Sequence, residues 1–362
     1  MDRYYFDHNA TTPLSPEALE AMTPCLSEVY GNASSIHHFG QMAKQRLEMA
    51  RRQTAGLLGC RPREVVFVSG GTEADNLALL GAVRPCAGKH VVTTAIEHPA
   101  VLGSAAQIER EGGEVTYLPV GGSGLLDPDD VRHALRPNTA LVSVMHVNNE
   151  LGTVQPVAEI GRITREAGIL LHSDGVQAAG RLPVDVDALG VDLYSMSAHK
   201  IYGPKGAGAL FVRKGTRLLP TLYGGHHEHD RRAGTENVPG VAGLGKAAEY
   251  AARDCASESS RLAALRDRLE AGILERVRGA GVNGTRDARV PNTTNLYFDY
   301  LEGESLVIAL DLRGFAVSSG SACSSGSTEP SHVLLAIGLD PARARASIRF
   351  SLGRSNTAAQ VD

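Results

Sequence analysis

The strongest constraint on the fold is a regular alternation of apolar and amphipathic segments between residues 64 and 212. The apolar segments are short and almost free of polar residues, which is typical of strands buried on both faces of a mostly parallel sheet. The segments between them have the spacing of helices that cover such a sheet. The pattern therefore predicts an α/β fold. The predicted strands cover residues 64–68, 89–94, 114–118, 140–145, 168–172, 191–194 and 206–212.

Polar side chains follow these predicted strands close to where each one ends. In parallel α/β sheets, ligands bind beyond the carboxyl ends of the strands. We therefore expect these side chains to line one shared site. They are Thr72, His98, Asn149, Asp174, Gln177, Ser197, His199 and Lys200.

Lys200 stands just past a predicted strand, in the sequence Ser-Ala-His-Lys. Partial desolvation at a strand end would lower the pKa of its amine and free that amine to attack an aldehyde. An isolated lysine is more often an ordinary surface residue. The interpretation of Lys200 therefore depends on its neighbours.

The turn at residues 69–72 joins a predicted strand to a predicted helix. Free backbone N–H groups at a helix N-terminus attract anions, commonly a phosphate, and Thr72 is the candidate N-cap. A plain strand-to-helix turn is the alternative. The turn is neither a P-loop nor a GxGxxG motif, so the sequence does not support a nucleotide site.

Asp174, Lys200 and this turn together supply what pyridoxal phosphate requires. The carboxylate would keep the ring nitrogen protonated, the lysine would carry the aldehyde, and the turn would hold the phosphate. His98 has a ring suited to stacking on the cofactor, although a helix-capping core histidine is an equal alternative. Gln177, three residues after Asp174, and Asn149 are the candidate donors for the cofactor phenolate oxygen.

The alternation stops near residue 239, where a long charged helical region is predicted over 239–280. Shorter strand-like and helix-like runs follow and indicate a smaller α+β domain. We predict a large domain over 15–254, with 1–14 and 255–362 forming the small domain. The polar segment 1–14 either reaches the site or caps the first helix.

Cys323 lies in a run of Ser, Gly and Ala over about 318–328. This run has no apolar anchor, so we expect it to be mobile. Structural cysteines are usually buried in apolar surroundings, and a cysteine displayed here is better explained as a thiol that travels. The cysteines expected to be structural are Cys25, Cys60, Cys86 and Cys255.

The charge balance argues against a nucleic-acid surface, because 36 basic and 40 acidic residues give a net charge of −4 without a basic stripe. We find neither a secretory leader nor an apolar run long enough for a membrane span. The five scattered cysteines form no CxxC pair, so we expect reduced thiols in the cytoplasm and no cysteine-rich zinc site. The histidines His226, His227 and His229 are interpreted as solvated loop residues, and no metal site is predicted.

Six short motifs occur in the order seen in one enzyme family. They are Ser-Gly-Gly-Thr-Glu at 69–73, Glu-His-Pro-Ala at 97–100, Val-Asn-Asn-Glu at 147–150, Ser-Ala-His-Lys at 197–200, Arg-Ala-Gly-Thr-Glu-Asn at 232–237 and Ser-Ser-Gly-Ser-Ala-Cys at 318–323. The chain thereby resembles the cysteine desulfurases of the NifS/IscS type, in the class V aminotransferase group of fold-type-I pyridoxal-phosphate enzymes. The resemblance implies a large domain with a mostly parallel seven-stranded sheet and a smaller α+β domain.

The resemblance also implies roles around the cofactor. Lys200 would hold it, Asp174 would pair with its ring nitrogen, and His98 would stack on its ring. Gln177 and Asn149 would contact the cofactor oxygen and the substrate region. The phosphate ligands would be Gly71, Thr72, Ser197 and His199.

Substrate and subunit contacts are implied as well. Arg349 would bind the substrate carboxylate through its bidentate guanidinium, assisted by Asn32 and Asn149. Thr235 would reach the phosphate bound by the other subunit, which implies a homodimer.

The implied reaction converts L-cysteine to L-alanine, with Lys200, His98 and Cys323 as catalytic residues. Cys323 would attack the substrate sulfur and keep it as a persulfide. The sulfur would pass to an acceptor protein such as an iron–sulfur scaffold, with which Cys323 could transiently share a cluster, or would serve tRNA or DNA thiolation. The flexible loop resembles the branch that serves iron–sulfur cluster assembly.

Other functions are also compatible with this sequence. An aminotransferase or a selenocysteine lyase could use the same scaffold, and a catalytically silent sulfur-relay protein is a candidate from another class. An aminotransferase would not need the Cys323 thiol. Two residues depart from the family pattern, since Ala198 stands where many members have glycine and Gly175 where many have alanine.

Overall fold

The computed structural model describes residues 2–319 and 329–362, so Cys323 and most of its predicted mobile loop lie outside the described residues. The strands are β1 (Tyr4–Tyr5), β2 (Val65–Val68), β3 (His90–Thr94), β4 (Glu114–Leu118), β5 (Thr139–Ser143), β6 (Leu170–Asp174), β7 (Leu193–Ser197), β8 (Gly208–Val212), β9 (Ala280–Val282), β10 (Thr293–Phe298), β11 (Phe315–Ala316), β12 (Ser318–Ser319) and β13 (Ser347–Ser351). The helices are α1 (Pro16–Ser27), α2 (His38–Leu58), α3 (Gly71–Val83), α4 (Pro99–Arg110), α5 (Pro128–Ala134), α6 (Val157–Ala167), α7 (Val186–Leu189), α8 (Val238–Arg276), α9 (Gly303–Asp311), α10 (His332–Ala336), α11 (Pro341–Arg345) and α12 (Ala358–Val361).

The predicted strands of the α/β region form a seven-stranded sheet in the order β2-β8-β7-β6-β5-β3-β4. Strands β3 to β7 run parallel to their neighbours in this group, and β8 runs antiparallel to both β7 and β2. Every residue of β2, β3, β7 and β8 is buried, as continuous apolar strands require. The predicted fold class, mostly parallel α/β, is confirmed.

The carboxyl ends of these strands meet at one edge of the sheet, where helices begin. Helix α3 starts at Gly71 with Gly70 as N-cap, so the prediction of Thr72 as N-cap is wrong. The turn is held instead by Glu73, whose Oε2 accepts the backbone N–H of Ser69 at 2.7 Å. Glycine is needed at 71 because a Cβ there would lie 2.8 Å from the Cγ2 atom of Val176.

A second, smaller set of strands is built from both ends of the chain. Strands β12, β13, β10 and β9 form an antiparallel sheet in that order. Strand β1 pairs in parallel with β11, with Tyr4 opposite Phe315. These strands enclose a separate apolar core that includes Phe6, Leu296 and Ile348.

Helix α8 packs against α1 and α2 and also contacts β9, β10 and α12. The domain boundary predicted at residue 254 falls inside this helix, and the division into domains stays a prediction. Within the described residues, no helix combines the length and the apolarity needed to cross a bilayer.

Candidate active site

A cavity of about 280 Å³ lies at the carboxyl edge of the large sheet. Its volume is near the lower end of the ~300–1,000 Å³ typical of small-molecule sites. The structure brings ten of the predicted site residues together around it. They are Gly71, Thr72, His98, Asn149, Asp174, Gln177, Ser197, His199, Lys200 and Arg349.

Lys200 lies in a short 3-10 turn directly after β7. Its Nζ atom donates hydrogen bonds to the backbone oxygens of Asn9, at 2.5 Å, and Ala10, at 2.7 Å. The segment 1–14 therefore reaches the site. The first helix is capped by the residue that follows this segment, because the Ser15 hydroxyl accepts the backbone N–H of Ala18. Sequence reasoning did not single out Asn9, although it lies in the polar segment whose role was left open.

Asp174 is the last residue of β6 and lines the cavity. Its Oδ1 accepts the backbone N–H of Val176 at 2.9 Å. Carboxylate oxygens of Asp174 and Asp75 and a ring nitrogen of His98 all lie within 4.8 Å of one another. Burial raises the pKa of Asp174, whereas the nearby His98 and Lys200 lower it. Burial and the charge of Asp174 raise the pKa of Asp75 well above its usual value.

Two carboxyl groups this close in a buried site do not ionise together readily. His172 offers Asp75 no positive charge, because burial lowers the pKa of this histidine to about 3. Asp174, which faces His98 and Lys200, is therefore the carboxyl that carries the negative charge. Sequence reasoning missed Asp75, since a single acidic residue on a helix is usually solvent-exposed.

His98 is the N-cap of α4, and its Nδ1 accepts the backbone N–H of Ala100 at 3.1 Å. The helix-capping alternative therefore holds, and because His98 also lines the cavity, its stacking on the cofactor stays a prediction. Burial lowers the pKa of His98, and the charge of Lys200 acts in the same direction while Asp174 opposes it.

The end of the cavity near Gly71 has the groups of an anion site. The first backbone N–H groups of α3 point out of the helix there, as in any helix N-terminus. The buried hydroxyl of Ser197 has no hydrogen-bond partner among the described residues. Burial lowers the pKa of His199 to about 4, and its Nδ1 is hydrogen-bonded to the hydroxyl of Thr11 at 3.1 Å. An anion bound here would meet two neutral donors and a helix dipole.

The residues that line the cavity match the chemical groups of pyridoxal phosphate. The unpartnered Ser197 hydroxyl and the α3 N-terminus suit a phosphate, and the charged Asp174 suits a protonated ring nitrogen. Lys200 provides the amine within the same cavity. The residues therefore fit the cofactor.

Arg349 lies in β13 and is 1% exposed. Its Nη2 donates to Oδ1 of Asp7 at 2.7 Å, and its Nη1 donates to the backbone oxygen of Asn149 at 3.0 Å. Its Nε has no partner in the described part of the chain. The Nε–H of this guanidinium is thus left for an acid group in the cavity. Sequence reasoning also missed Asp7, which orients the guanidinium.

Two predicted site residues do not line this cavity, and a third lies outside the described residues. Asn32 and Thr235 are exposed and are not among the lining residues. Asn32 instead accepts the backbone N–H of Ser34 through its side-chain oxygen. The third is Cys323. Ser318, which precedes it by five residues in the sequence, lies in β12 and pairs with Arg349.

The packing around Gly175 explains one departure from the family pattern. A Cβ atom at Gly175 would lie 1.9 Å from Cζ of the fully buried Tyr194. The Tyr194 hydroxyl is in turn hydrogen-bonded to Nδ1 of His146 at 2.8 Å. The tyrosine ring occupies the space that an alanine methyl group would need, so the two positions are coupled.

We therefore expect Gly175→Ala to lower the free energy of unfolding by about 3 kcal/mol or more, because overpacking a rigid core is costly. In a Tyr194→Met background the same change is expected to cost about 1 kcal/mol or less, since Met adapts its shape. Urea denaturation of the two single variants and the double variant measures this coupling. Equal costs in both backgrounds would contradict it.

Comparison with known proteins shows the family to which this chain belongs. The model of the family "Aminotransferase class-V" matches residues 4–362. The chain is 50% identical over 355 residues to "Cysteine desulfurase IscS" of Dictyoglomus turgidum, covering 98% of this chain and 90% of that protein. Among solved structures, a "NifS-like protein" superposes with a TM-score of 0.93 at 36% identity, covering 99% of this chain and 96% of the other. The structure of "SspA in complex with cysteine" superposes with a TM-score of 0.86 at 38% identity, covering 96% and 98%.

Proposed function

This chain belongs to the cysteine desulfurases of the class V aminotransferase family, and from that premise we propose how its own residues carry out the reaction. The substrate is L-cysteine, and the products are L-alanine and a persulfide on Cys323. The observation that supports this assignment most is the meeting of Asp174, Lys200 and the unpartnered Ser197 hydroxyl in one cavity at the strand ends.

Pyridoxal phosphate, when bound, supplies an aldehyde that condenses with amines and a ring that stores negative charge. Asp174 would hold its ring nitrogen, His98 would stack on its ring, and Lys200 would hold its aldehyde. Gln177 and Asn149 would contact the cofactor oxygen. The residues proposed to hold the phosphate are Gly71, Thr72, Ser197 and His199.

Lys200 also moves the substrate proton in this proposal. Its amine would take the proton from the α-carbon of cysteine, since Lys200 lies in the same cavity as the substrate-binding Arg349. The backbone oxygens of Asn9 and Ala10 accept hydrogen bonds from Lys200 and so hold its amine in the cavity. The unpartnered Nε of Arg349 donates to the substrate carboxylate and orients the α-carbon.

Cys323 receives the sulfur. Its thiolate attacks the substrate sulfur, an S–S bond forms, and the C–S bond breaks with its electron pair left on the carbon, which is protonated to give alanine. Cys323 is four residues from Ser319 in the sequence, and four extended residues span at most about 14 Å. Ser318 pairs with Arg349, and Arg349 lines the cavity.

The working unit is proposed to be a homodimer in which Thr235 reaches the partner's phosphate. Thr235 is exposed in the single chain, and large apolar side chains are exposed on two loops. A second copy of the chain would cover them. They are Tyr30 at 66%, Ile36 at 94% and Tyr223 at 80% exposure.

The persulfide sulfur is proposed to go to an acceptor protein such as an iron–sulfur scaffold, with tRNA or DNA thiolation as the other destinations. We place the enzyme in the cytoplasm, where thiols stay reduced. The four described cysteines are all unpaired, in keeping with that compartment.

The experiment that tests the function is incubation of the cofactor-loaded protein with L-cysteine, without reductant. We expect alanine to form, together with one added sulfur atom on the peptide that contains Cys323, measured by mass spectrometry. Alanine without sulfur on that peptide would refute the role of Cys323. Release of selenium from L-selenocysteine with no turnover of L-cysteine would refute the substrate.

A further inference from the structure

The side-chain amide of Gln177 is fixed from both ends. Arg181 donates from Nη1 to Oε1 of Gln177 and to its backbone oxygen at 3.2 Å. At the other end, Nε2 of Gln177 donates to the backbone oxygen of Asn9 at 3.0 Å. Gln177 is 5% exposed, so water does not compete freely for these groups.

Only one orientation of this amide satisfies both neighbours. A guanidinium has donors only, and a backbone oxygen is an acceptor only. Turning the amide by half a rotation would point its N–H groups at Arg181 and its oxygen at the oxygen of Asn9. Both contacts would then be repulsive, so Arg181 and the backbone oxygen of Asn9 together determine which atom of Gln177 faces the cavity.

Arg181 is itself held firmly. Its Nη2 donates to the backbone oxygen of His8 at 3.0 Å, and its own backbone oxygen accepts the hydroxyl of Ser259 in α8 at 2.7 Å. Desolvation lowers the pKa of Arg181 to about 10, which leaves the guanidinium charged at neutral pH. The three hydrogen bonds that this guanidinium donates to Gln177 and His8 all end on neutral carbonyl oxygens.

We propose that Arg181 is a positioning residue that makes Gln177 present an N–H donor to the cavity, so that the site selects a cofactor carrying an acceptor oxygen on its ring. Gln177 uses one N–H on Asn9, and the second is left for the cavity that the side chain lines. The phenolate oxygen of pyridoxal phosphate is such an acceptor. The inference rests on the proposed function, because it assumes that this cofactor is the ligand.

The test is a double-mutant cycle on cofactor affinity, measured by titrating the cofactor-free protein with pyridoxal phosphate. Arg181→Met is expected to weaken binding roughly tenfold, because Gln177 then turns its oxygen toward the phenolate about nine-tenths of the time. In a Gln177→Ala background the same change is expected to weaken binding about twofold or less. Arg181→Lys, which keeps the charge and one donor toward Gln177, is expected to stay within about threefold of the parent.

A second probe removes the acceptor instead of the donor. The analogue 3-deoxypyridoxal phosphate lacks the phenolate oxygen, so the parent and Arg181→Met are expected to bind it equally well. Circular dichroism of each variant establishes that it is folded, and Arg181→Lys serves if Arg181→Met is not.

The outcomes separate this inference from the function on which it rests. If Arg181→Met weakens binding equally in the parent and in the Gln177→Ala variant, or equally for both ligands, then Arg181 only supports the fold, and the inference alone is overturned. A parent protein that binds no pyridoxal phosphate would overturn the proposed function and this inference with it.

Discussion

Replacing Lys200 by alanine is expected to lower alanine formation from L-cysteine by about 10³-fold or more, since one side chain both holds the cofactor and moves the substrate proton. The variant should also lose the visible absorption band of covalently attached cofactor. Absorbance after reconstitution and an alanine assay measure the two effects separately. A protein that kept both the band and its turnover would show that another amine carries the cofactor.

The matched control for this variant is Lys214→Ala. Lys214 is exposed and does not line the cavity, so its removal is expected to leave the band and the turnover unchanged. Circular dichroism should show that both variants are folded. The hydrogen bonds that Lys200→Ala removes end on the backbone oxygens of Asn9 and Ala10, and both of these residues line the cavity.

Replacing Cys323 by serine is expected to abolish persulfide formation and to lower alanine formation by about 10³-fold, because a hydroxyl cannot accept the sulfur. Cofactor binding should be retained, which distinguishes this variant from Lys200→Ala. Peptide mass spectrometry and the alanine assay supply the two measurements. Full alanine formation by Cys323→Ser would show that sulfur leaves as free sulfide and that the thiol has no catalytic role.

Cys60→Ser is the control for a general loss of thiols. Burial raises the pKa of the Cys60 thiol to about 12, so it stays protonated at neutral pH and is a poor nucleophile. The variant is expected to form alanine and the Cys323 persulfide at the parent rate.

The sequence could predict the cavity because strand periodicity and strand ends are local properties. Asp174 and Ser197 end neighbouring parallel strands, and the register that places Asp174 opposite Ser195 brings them to one edge. Lys200 follows three residues after Ser197 and joins the same edge. The position of these residues at strand ends can be predicted from the local sequence pattern, without knowledge of contacts between distant parts of the chain.

Residues that act through tertiary contacts were harder to predict. Arginine and aspartate side chains usually lie in solvent, and only the folded chain shows that Arg181 faces Gln177 and that Asp75 faces Asp174. The helix start at Gly71 was also missed, because its turn is fixed by Glu73 and by the close approach of Val176, neither of which a local N-cap pattern includes.

Two predicted residues, Asn32 and Thr235, lie outside the cavity of the single chain. Their roles came from the family resemblance and stay predictions that depend on a second subunit or on bound substrate. The role of Cys323 likewise stays a prediction, because its segment lies outside the described residues.

The pairing of the two chain ends has a consequence for how the protein is made. Asn9 and His8 are held by hydrogen bonds to Ser351, and β1 pairs with β11. A ribosome synthesises Asn9 342 residues before Ser351. The carbonyl oxygens that hold the Lys200 amine therefore cannot take their final positions until Ser351 has been synthesised. Contacts this distant in sequence form slowly, so we expect the catalytic pocket to be among the last parts of the fold to form.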